Sequence, residues 1–260
     1  EINLLTPEPE GFKSRIVKDR KTDTLYYWYN IRPEYDSLSF EVVSPTRRDT
    51  LFTKIAEADR DSLNITTEPS GGIGFGQDFK LKANTPITNF NRELISIRDG
   101  DSVIVPFNAE MRRLENEIVI SFEKEESTDY RVTALPGAIT DLFEETNDTL
   151  QQSLNTKSYA DYGSIILRLQ NANRFPLLVQ LTNEKGEVQA EKYSNGDTNL
   201  HFQHLKPGKY LIRVIFDNNE NRKWDTGNYL KRIQPEEIQY YRDTIDVRSN
   251  WDMPETFTLE

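Results

Sequence analysis

No cysteine occurs among the 260 residues, and histidine appears only twice, as His201 and His204. The first absence excludes disulfide scaffolds, thiolate metal sites, iron–sulfur clusters and cysteine nucleophiles. With two imidazoles in all, most hydrolase and zinc chemistry has almost nothing to work with. Basic residues are the minority charge: 32 Lys and Arg stand against 43 Asp and Glu, a net charge of −11. That balance argues against a nucleic-acid partner, which needs a basic stripe. No apolar run approaches the ~20 residues of a membrane span, and no signal peptide is present. The chain opens at Glu1-Ile2-Asn3 without Met, which reads as a mature or trimmed product whose targeting segment is missing. Hydrophobic content of 36% is low for a globular chain. Aromatic residues spread along its length nevertheless oppose disorder.

What is present alternates with a period of two. Thr24–Tyr29, Ser37–Val43 and Thr50–Ile55 read as strands, rich in aromatic or β-branched residues and bounded by charged turns. A second group follows at Phe79–Ala83, Leu94–Ile97, Ser102–Val105, Glu117–Phe122 and Tyr130–Leu135. The third comprises Gly163–Leu169, Leu177–Leu181, Glu191–Tyr193, Leu200–Phe202, Lys209–Phe216 and Glu255–Leu259. Short strands with regular turn signals are the pattern of antiparallel sandwiches, so the fold class is all-β. One helix of one or two turns is expected within Ala138–Thr149, where Ile139, Leu142 and Phe143 recur at i, i+3, i+4.

Two boundaries stand out. Glu68 to Gly76 is a Pro/Gly cluster whose glycines superficially suggest a nucleotide loop. The segment that follows reads as a strand rather than a helix, so a flexible connection or bulged strand entry is expected instead. Asn155–Gly163 is the second, a polar stretch between strand groups. The expected division is 1–67, a region that resembles part of an Ig-like domain or is simply strand-rich; 68–157, a domain that resembles an Ig-like one on residues given below; and 158–260, a β-sandwich with an acidic loop.

That loop, Asp217 to Asn228, carries the clearest chemistry. Side-chain oxygens of Asp217, Asn219, Asn221 and Asp225 fall at positions 1, 3, 5 and 9, as in EF-hand-type calcium loops. Lys223 at position 7 would offer its backbone carbonyl, and Asn228 stands at position 12 in place of a bidentate Glu. Arg222 replaces the glycine of position 6, and Glu220 points elsewhere in this register. The expected cofactor is therefore a weakly bound structural calcium. The competing reading is an Asx-rich turn whose side chains bond their own backbone.

Other features are weaker. His201 and His204, three apart on a strand, are expected on opposite faces, which disfavours a shared metal. Tyr26–Tyr29 could form a sugar-stacking platform, although a sheet-edge or domain-contact role fits alternating burial better. The carboxylate runs Glu123–Glu126 and Glu144–Glu145 read as solvated turns without an acid–base partner. A tripeptide of Asp, Ser or Thr, then an aliphatic residue recurs at Asp23, Asp36, Asp49, Asp61, Asp101, Asp148 and Asp243. Turn-to-strand preference explains part of the enrichment. The same tripeptide also resembles the O-glycosylation acceptor of exported Bacteroidota proteins.

On these residues the chain takes on a family likeness. Phe79–Ile87 and Tyr130–Phe143 resemble the start and end of a bacterial Ig-like domain. Leu205–Val214, Asp217–Asn228 and Lys231–Ile238 resemble the prealbumin-like or carboxypeptidase-regulatory-like C-terminal module of Bacteroidota exported proteins and lipoproteins. The resemblance implies tandem antiparallel sandwiches with no enzyme activity, located extracytoplasmically, at the outer membrane or cell surface, or in the periplasm. It also implies protein partners in the cell envelope and a lipid anchor upstream. The rival expectation is a carbohydrate-binding module of a glycan-uptake system, with Tyr26, Trp28, Tyr240, Tyr241 or Trp251 on the platform. An enzyme reading comes last, because it requires an acid–base pair that the sequence does not display.

Overall fold

A computed structural model describes residues 1–31, 34–44, 47–55 and 61–260. Part of the strand-rich region expected over 1–67 therefore lies outside the described residues. The chain divides into two compact units, Glu1–Thr156 and Lys157–Glu260. Strands make up almost all the regular structure. Among the described residues the only helical turns are two three-residue 3-10 turns, Arg92–Leu94 and Tyr159–Asp161.

Unit 1 begins with β1 (Ile2–Leu4), β2 (Ser14–Lys18), β3 (Leu25–Tyr29), β4 (Ser37–Val43) and β5 (Arg48–Lys54). It continues with β6 (Ile65–Glu68), β7 (Gly71–Gly72), β8 (Phe79–Ala83), β9 (Ile87–Phe90) and β10 (Ile95–Asp99). Strands β11 (Phe107–Arg112), β12 (Glu117–Phe122), β13 (Asp129–Ala134), β14 (Ile139–Asp141) and β15 (Leu150–Asn155) complete it. Two four-stranded sheets, β11-β12-β8-β6 and β10-β13-β15-β7, form a sandwich. Alternate residues of both sheets fill its core: Phe79 and Leu81 from β8, Ile118 and Ile120 from β12, Ile97 from β10 and Val132 from β13. Each such side chain contributes about 1.5–3 kcal/mol on full burial.

The Pro/Gly cluster is a strand crossing between sheets. β6 pairs with β8 in one sheet; two residues later β7 runs parallel to β15 in the other, with Ile73 buried behind it. Asn116, in the left-handed region at φ 55°, turns the β11–β12 hairpin. Its buried amide accepts from the Ile87 N–H at 2.7 Å and donates to the Thr85 carbonyl at 2.8 Å. A buried polar side chain is thereby satisfied and a loop fixed.

The N-terminal strands form a separate sheet, β1-β4-β5, and the hairpin β2-β3. Three of the four aromatics of β3 are packed. Tyr27 meets Phe40 edge-on at 4.7 Å, Trp28 meets Phe143 at 6.4 Å, and Tyr29 stacks on Phe12 at 6.2 Å. The Arg15 guanidinium donates to the Ile87 carbonyl, Arg20 donates to Ala83, and the Lys18 N–H donates to Leu114. These bonds tie the hairpin to the sandwich.

Two expectations fail in unit 1. Residues 138–149 contain no helix: Ile139–Asp141 is strand β14, paired with β9. The Asp141 carboxylate then accepts from the N–H groups of Phe143 and Glu145, both at 2.9 Å, and bends the chain into a turn. Ile139 and Leu142 are buried, but from a strand and a turn rather than from one helical face. The segment Ser102–Val105 is not a strand either. It makes one isolated bridge, Ile104 with Arg98, and leaves Val103 and Ile104 exposed.

Unit 2 comprises β16 (Gly163–Gln170), β17 (Leu177–Thr182), β18 (Val188–Ser194), β19 (Asn199–Leu205) and β20 (Gly208–Phe216). It ends with β21 (Ile238–Tyr240), β22 (Ile245–Val247) and β23 (Asp252–Thr258). One sheet has the order β19-β16-β23; the other is β18-β17-β20-β21, with β22 also on β20. Ile165, Leu167 and Leu169 of β16 face Leu177, Val179 and Leu181 of β17 in one core with Ile212 and Val214 of β20. β16 is antiparallel to β19 and parallel to β23, so the chain closes beside the strand that opened the unit.

Candidate functional site

Strand β20 delivers the Asx-rich loop. Its last residues, Val214, Ile215 and Phe216, are buried, and Asp217 follows them with no exposed surface. A buried carboxylate must find donors. Asp217 accepts from the Asn221 N–H at 3.1 Å and from the Arg222 N–H at 2.8 Å. The chain wraps around it tightly enough to place Glu220 and Arg222 in the left-handed region, at φ 61° and 60°.

Asn219, Asn221 and Asp225 converge. Both amides donate to the same Asp225 oxygen, Oδ2, from Asn221 at 2.6 Å. Their own oxygens accept from the backbone: Asn219 Oδ1 from Asn221 N–H at 3.1 Å, and Asn221 Oδ1 from Lys223 N–H at 2.8 Å. The structure therefore gathers four of the six sequence candidates, Asp217, Asn219, Asn221 and Asp225, on one turn, with Lys223 tied in through its backbone. It leaves Asn228 apart. That residue pairs with Ile233 and accepts from the Lys231 N–H at 3.0 Å, at the base of the next hairpin.

Sequence reasoning missed Glu236. This side chain is buried beside the loop; Oε1 accepts from Asn218 N–H at 2.8 Å and Oε2 from Asp225 N–H at 3.1 Å. Its backbone carbonyl accepts from the Trp224 indole at 3.1 Å. The run Pro235-Glu236-Glu237 was visible in the sequence, but nothing in its spacing pairs it with Asp217 or Asp225. Burial, followed by the charge and hydrogen bond of Asp217, raises the Tyr193 phenol above its ordinary pKa; Arg222 opposes that shift from over the ring, 4.7 Å from its centroid.

The histidines require a correction. They do not face opposite sides. A bulge in β19 opposite Ser164 places Gln203 and His204 consecutively outward, with His204 at φ 54°. His201 and His204 consequently line one cleft of about 200 Å3 with Tyr159, Tyr162 and Asp252. Burial, then the neighbouring His201, holds the His204 imidazole below its ordinary pKa. Among the described residues, no group of three or more His, Asp or Glu side chains is placed to hold a metal.

The platform aromatics are scattered. Tyr26, Tyr240 and Trp251 are exposed; Trp28 packs on Phe143, and Tyr241 packs on Phe257 and donates to Glu255 at 2.8 Å. Tyr240 and Tyr241 border an open groove of about 610 Å3 with Arg242, Asp243, Thr256 and Thr258. The edge of the N-terminal sheet is more open still. β5 pairs only with β4 among the described residues, and consecutive residues Leu51 and Phe52 are 55% and 76% exposed. Adjacent strand residues point to opposite faces, so both faces of this edge are uncovered.

Fold and loop together define an all-β chain of antiparallel sandwiches with an Asx-rich turn at a sheet end. Residues 156–233 match the model of a family described as an uncharacterized protein conserved in bacteria (DUF2141), a span that includes the whole loop and stops short of Glu236. Comparison with curated proteins returns no match. Among solved structures, the chain is similar to the major pilin subunit BcpA of Bacillus cereus, at 11% identity and a TM-score of 0.26. That alignment covers 95% of this chain and 93% of the pilin. The Bacillus anthracis TIE protein aligns at 11% identity and a TM-score of 0.24, over 78% of this chain and 41% of that one. Scores this low decide neither fold nor function, and the architecture rests on the strands and cores described above. No helix among the described residues is long and apolar enough to cross a membrane.

Proposed function

We propose that this chain is a non-catalytic, modular cell-envelope protein, a scaffold or interaction subunit of an outer-membrane or surface assembly. One observation carries the reading: the open edge of β5. Its outer backbone groups, unpaired among the described residues, and its exposed Leu51 and Phe52 offer a partner chain both hydrogen bonds and apolar surface. Natural edges are ordinarily blunted, so an uncovered apolar one is a docking feature. The test is co-purification from the native envelope by the wild-type chain and by L51K/F52K. Both positions are exposed, so stability should stay within about 0.5 kcal/mol. Loss of the partner with unchanged melting supports the reading; retention of the same partner overturns it.

Calcium in the Asp217 loop belongs to the same proposal. Asp217, Asn219, Asn221 and Asp225 present only oxygens as side-chain acceptors around a turn, and Glu236 adds a second buried carboxylate beside it. Such a donor set suits a hard cation, and Asn228 lies outside it. Bound calcium would stiffen the sheet end. At a hundredfold excess over its Kd it would add about 2.7 kcal/mol of stability. An unchanged melting temperature between excess calcium and excess chelator sinks this part. Exported-lipoprotein character and O-glycosylation also remain proposals; the Ser or Thr of all seven tripeptides is exposed, as an acceptor must be.

A second reading, glycan binding, rests on Tyr240, 64% exposed at the rim of the groove beside Arg242 and Asp243. Glycan retardation in affinity electrophoresis that Y240A abolishes would favour it.

A further inference from the structure

The hairpin after the Asx loop carries the most exposed large apolar pair among the described residues. Tyr229 and Leu230 are 95% and 92% exposed, on a tip flanked by Ile233 at 56%. The tip is a built structure. Asn228 and Ile233 exchange backbone bonds of 2.8 and 3.0 Å, and Arg232 N–H donates to the Tyr229 carbonyl at 3.2 Å. Its base is packed against Gly227, where an added Cβ would stand 2.8 Å from the Ile233 carbonyl and 2.9 Å from Pro235. Two apolar side chains are therefore held outward on a closed turn.

The charge around them runs against the rest of the chain. The whole sequence carries −11. From Arg222 to Ile233 the cations Arg222, Lys223, Lys231 and Arg232 face a single acid, Asp225, whose carboxylate already takes two amide donors. No ion pair among the described residues engages Lys223, Lys231 or Arg232, and all three are exposed. Trp224, 44% exposed, adds an amphipathic ring at the same end.

We infer that this hairpin docks into an anionic lipid surface. The shape decides between occupants. A protein interface buries a broad patch around a well-packed centre, whereas this is a two-residue point followed directly by Lys231 and Arg232. A bilayer interface closes around such a point without needing a matching pocket. Tyr and Trp favour the headgroup level, Leu the acyl boundary, and Lys and Arg the anionic headgroups. The inference extends the scaffold reading without depending on calcium or on the β5 edge.

The test uses the full chain, in chelator so that calcium cannot bridge protein to lipid. Co-sedimentation is measured with phosphatidylcholine vesicles with and without phosphatidylglycerol. Binding to the anionic vesicles is expected, weakening as salt rises. Y229S/L230S should reduce partitioning at least about tenfold. K231E/R232E should reduce it by about fivefold or more for each cation reversed. These positions are exposed, and unchanged melting temperatures confirm intact folding. No preference for anionic vesicles, or full binding by Y229S/L230S, overturns the inference. So does loss of an envelope protein partner in Y229S/L230S with vesicle partitioning unchanged, which would assign the tip to a protein.

Discussion

Replacing Asp217 tests whether one buried carboxylate organises the loop at the end of β20. It accepts two backbone bonds, at 3.1 and 2.8 Å, and has no exposed surface. A hydrogen bond to a charged group contributes about 1.5–3 kcal/mol, so two at the low end set the cost of D217A at about 3 kcal/mol. The left-handed Arg222 loses the bond that holds it, while Glu220 keeps only its backbone bond to the Asp217 carbonyl. D217N keeps the size and one acceptor oxygen and should lose about half as much. For a unit the size of Lys157–Glu260, about 4 °C per kcal/mol translates the first figure into a Tm drop of roughly 12 °C. Calorimetry in chelator isolates this term from any bound cation, and amide exchange at Asn221 and Arg222 reports the loop directly. A drop below about 2 °C in D217A, with both amides still protected, refutes the assignment.

Other perturbations probe the cores and one titration. Leu167→Ala empties a fully buried position in the unit 2 core and should cost about 3–4 kcal/mol in urea unfolding, against near-neutrality for the exposed Ile166→Ala. Gly163→Ala places a Cβ 2.3 Å from the Arg248 carbonyl and 2.6 Å from Val247 Cγ1. Because one obstacle is backbone, the substitution should cost about 2–3 kcal/mol; a neutral result would mean that the β16 entry is looser than described. Tyr241 is pushed up to about 12 by burial first, then by its bond to Glu255. Its folded pKa lies above the ordinary 10.0, so the folded form keeps a proton that the unfolded chain loses. That contribution is fully present below pH 10 and disappears as pH rises from 10 through about 12. Tyrosinate absorbance should show a component titrating near pH 12 that Y241F lacks; identical curves would contradict this.

Strands with strong alternation were legible because their burial is local. Lys209–Phe216 and Gly163–Leu169 each fill one side of a core, and their patterns declare it. The 138–149 stretch misled because Ile139 sits on a strand and Leu142 on the turn after it, while the Asp141 carboxylate caps that turn. Spacing alone cannot separate those cases from a helical face. The histidine pair failed for another reason. One extra residue in β19 shifts every later side chain to the other face, and a bulge leaves no mark in composition. In the candidate loop, positions 1, 3, 5 and 9 were readable because a tight turn is encoded within a dozen residues. Glu236 was not, since only the fold of residues 226–235 returns it to Asn218 and Asp225.

The amino-acid sequence by itself determined the all-β class, the absence of thiol chemistry and the place of the Asp217–Asn228 loop, because each depends on composition or on neighbours along the chain. Only the tertiary structure decided that β5 is an edge strand with no second partner among the described residues, that Asn228 leaves the loop while Glu236 joins it, and that Tyr229 and Leu230 stand uncovered. These are statements about what lies across space from a residue. Exposure and partnership arise from packing between segments distant in sequence, and no local pattern records them.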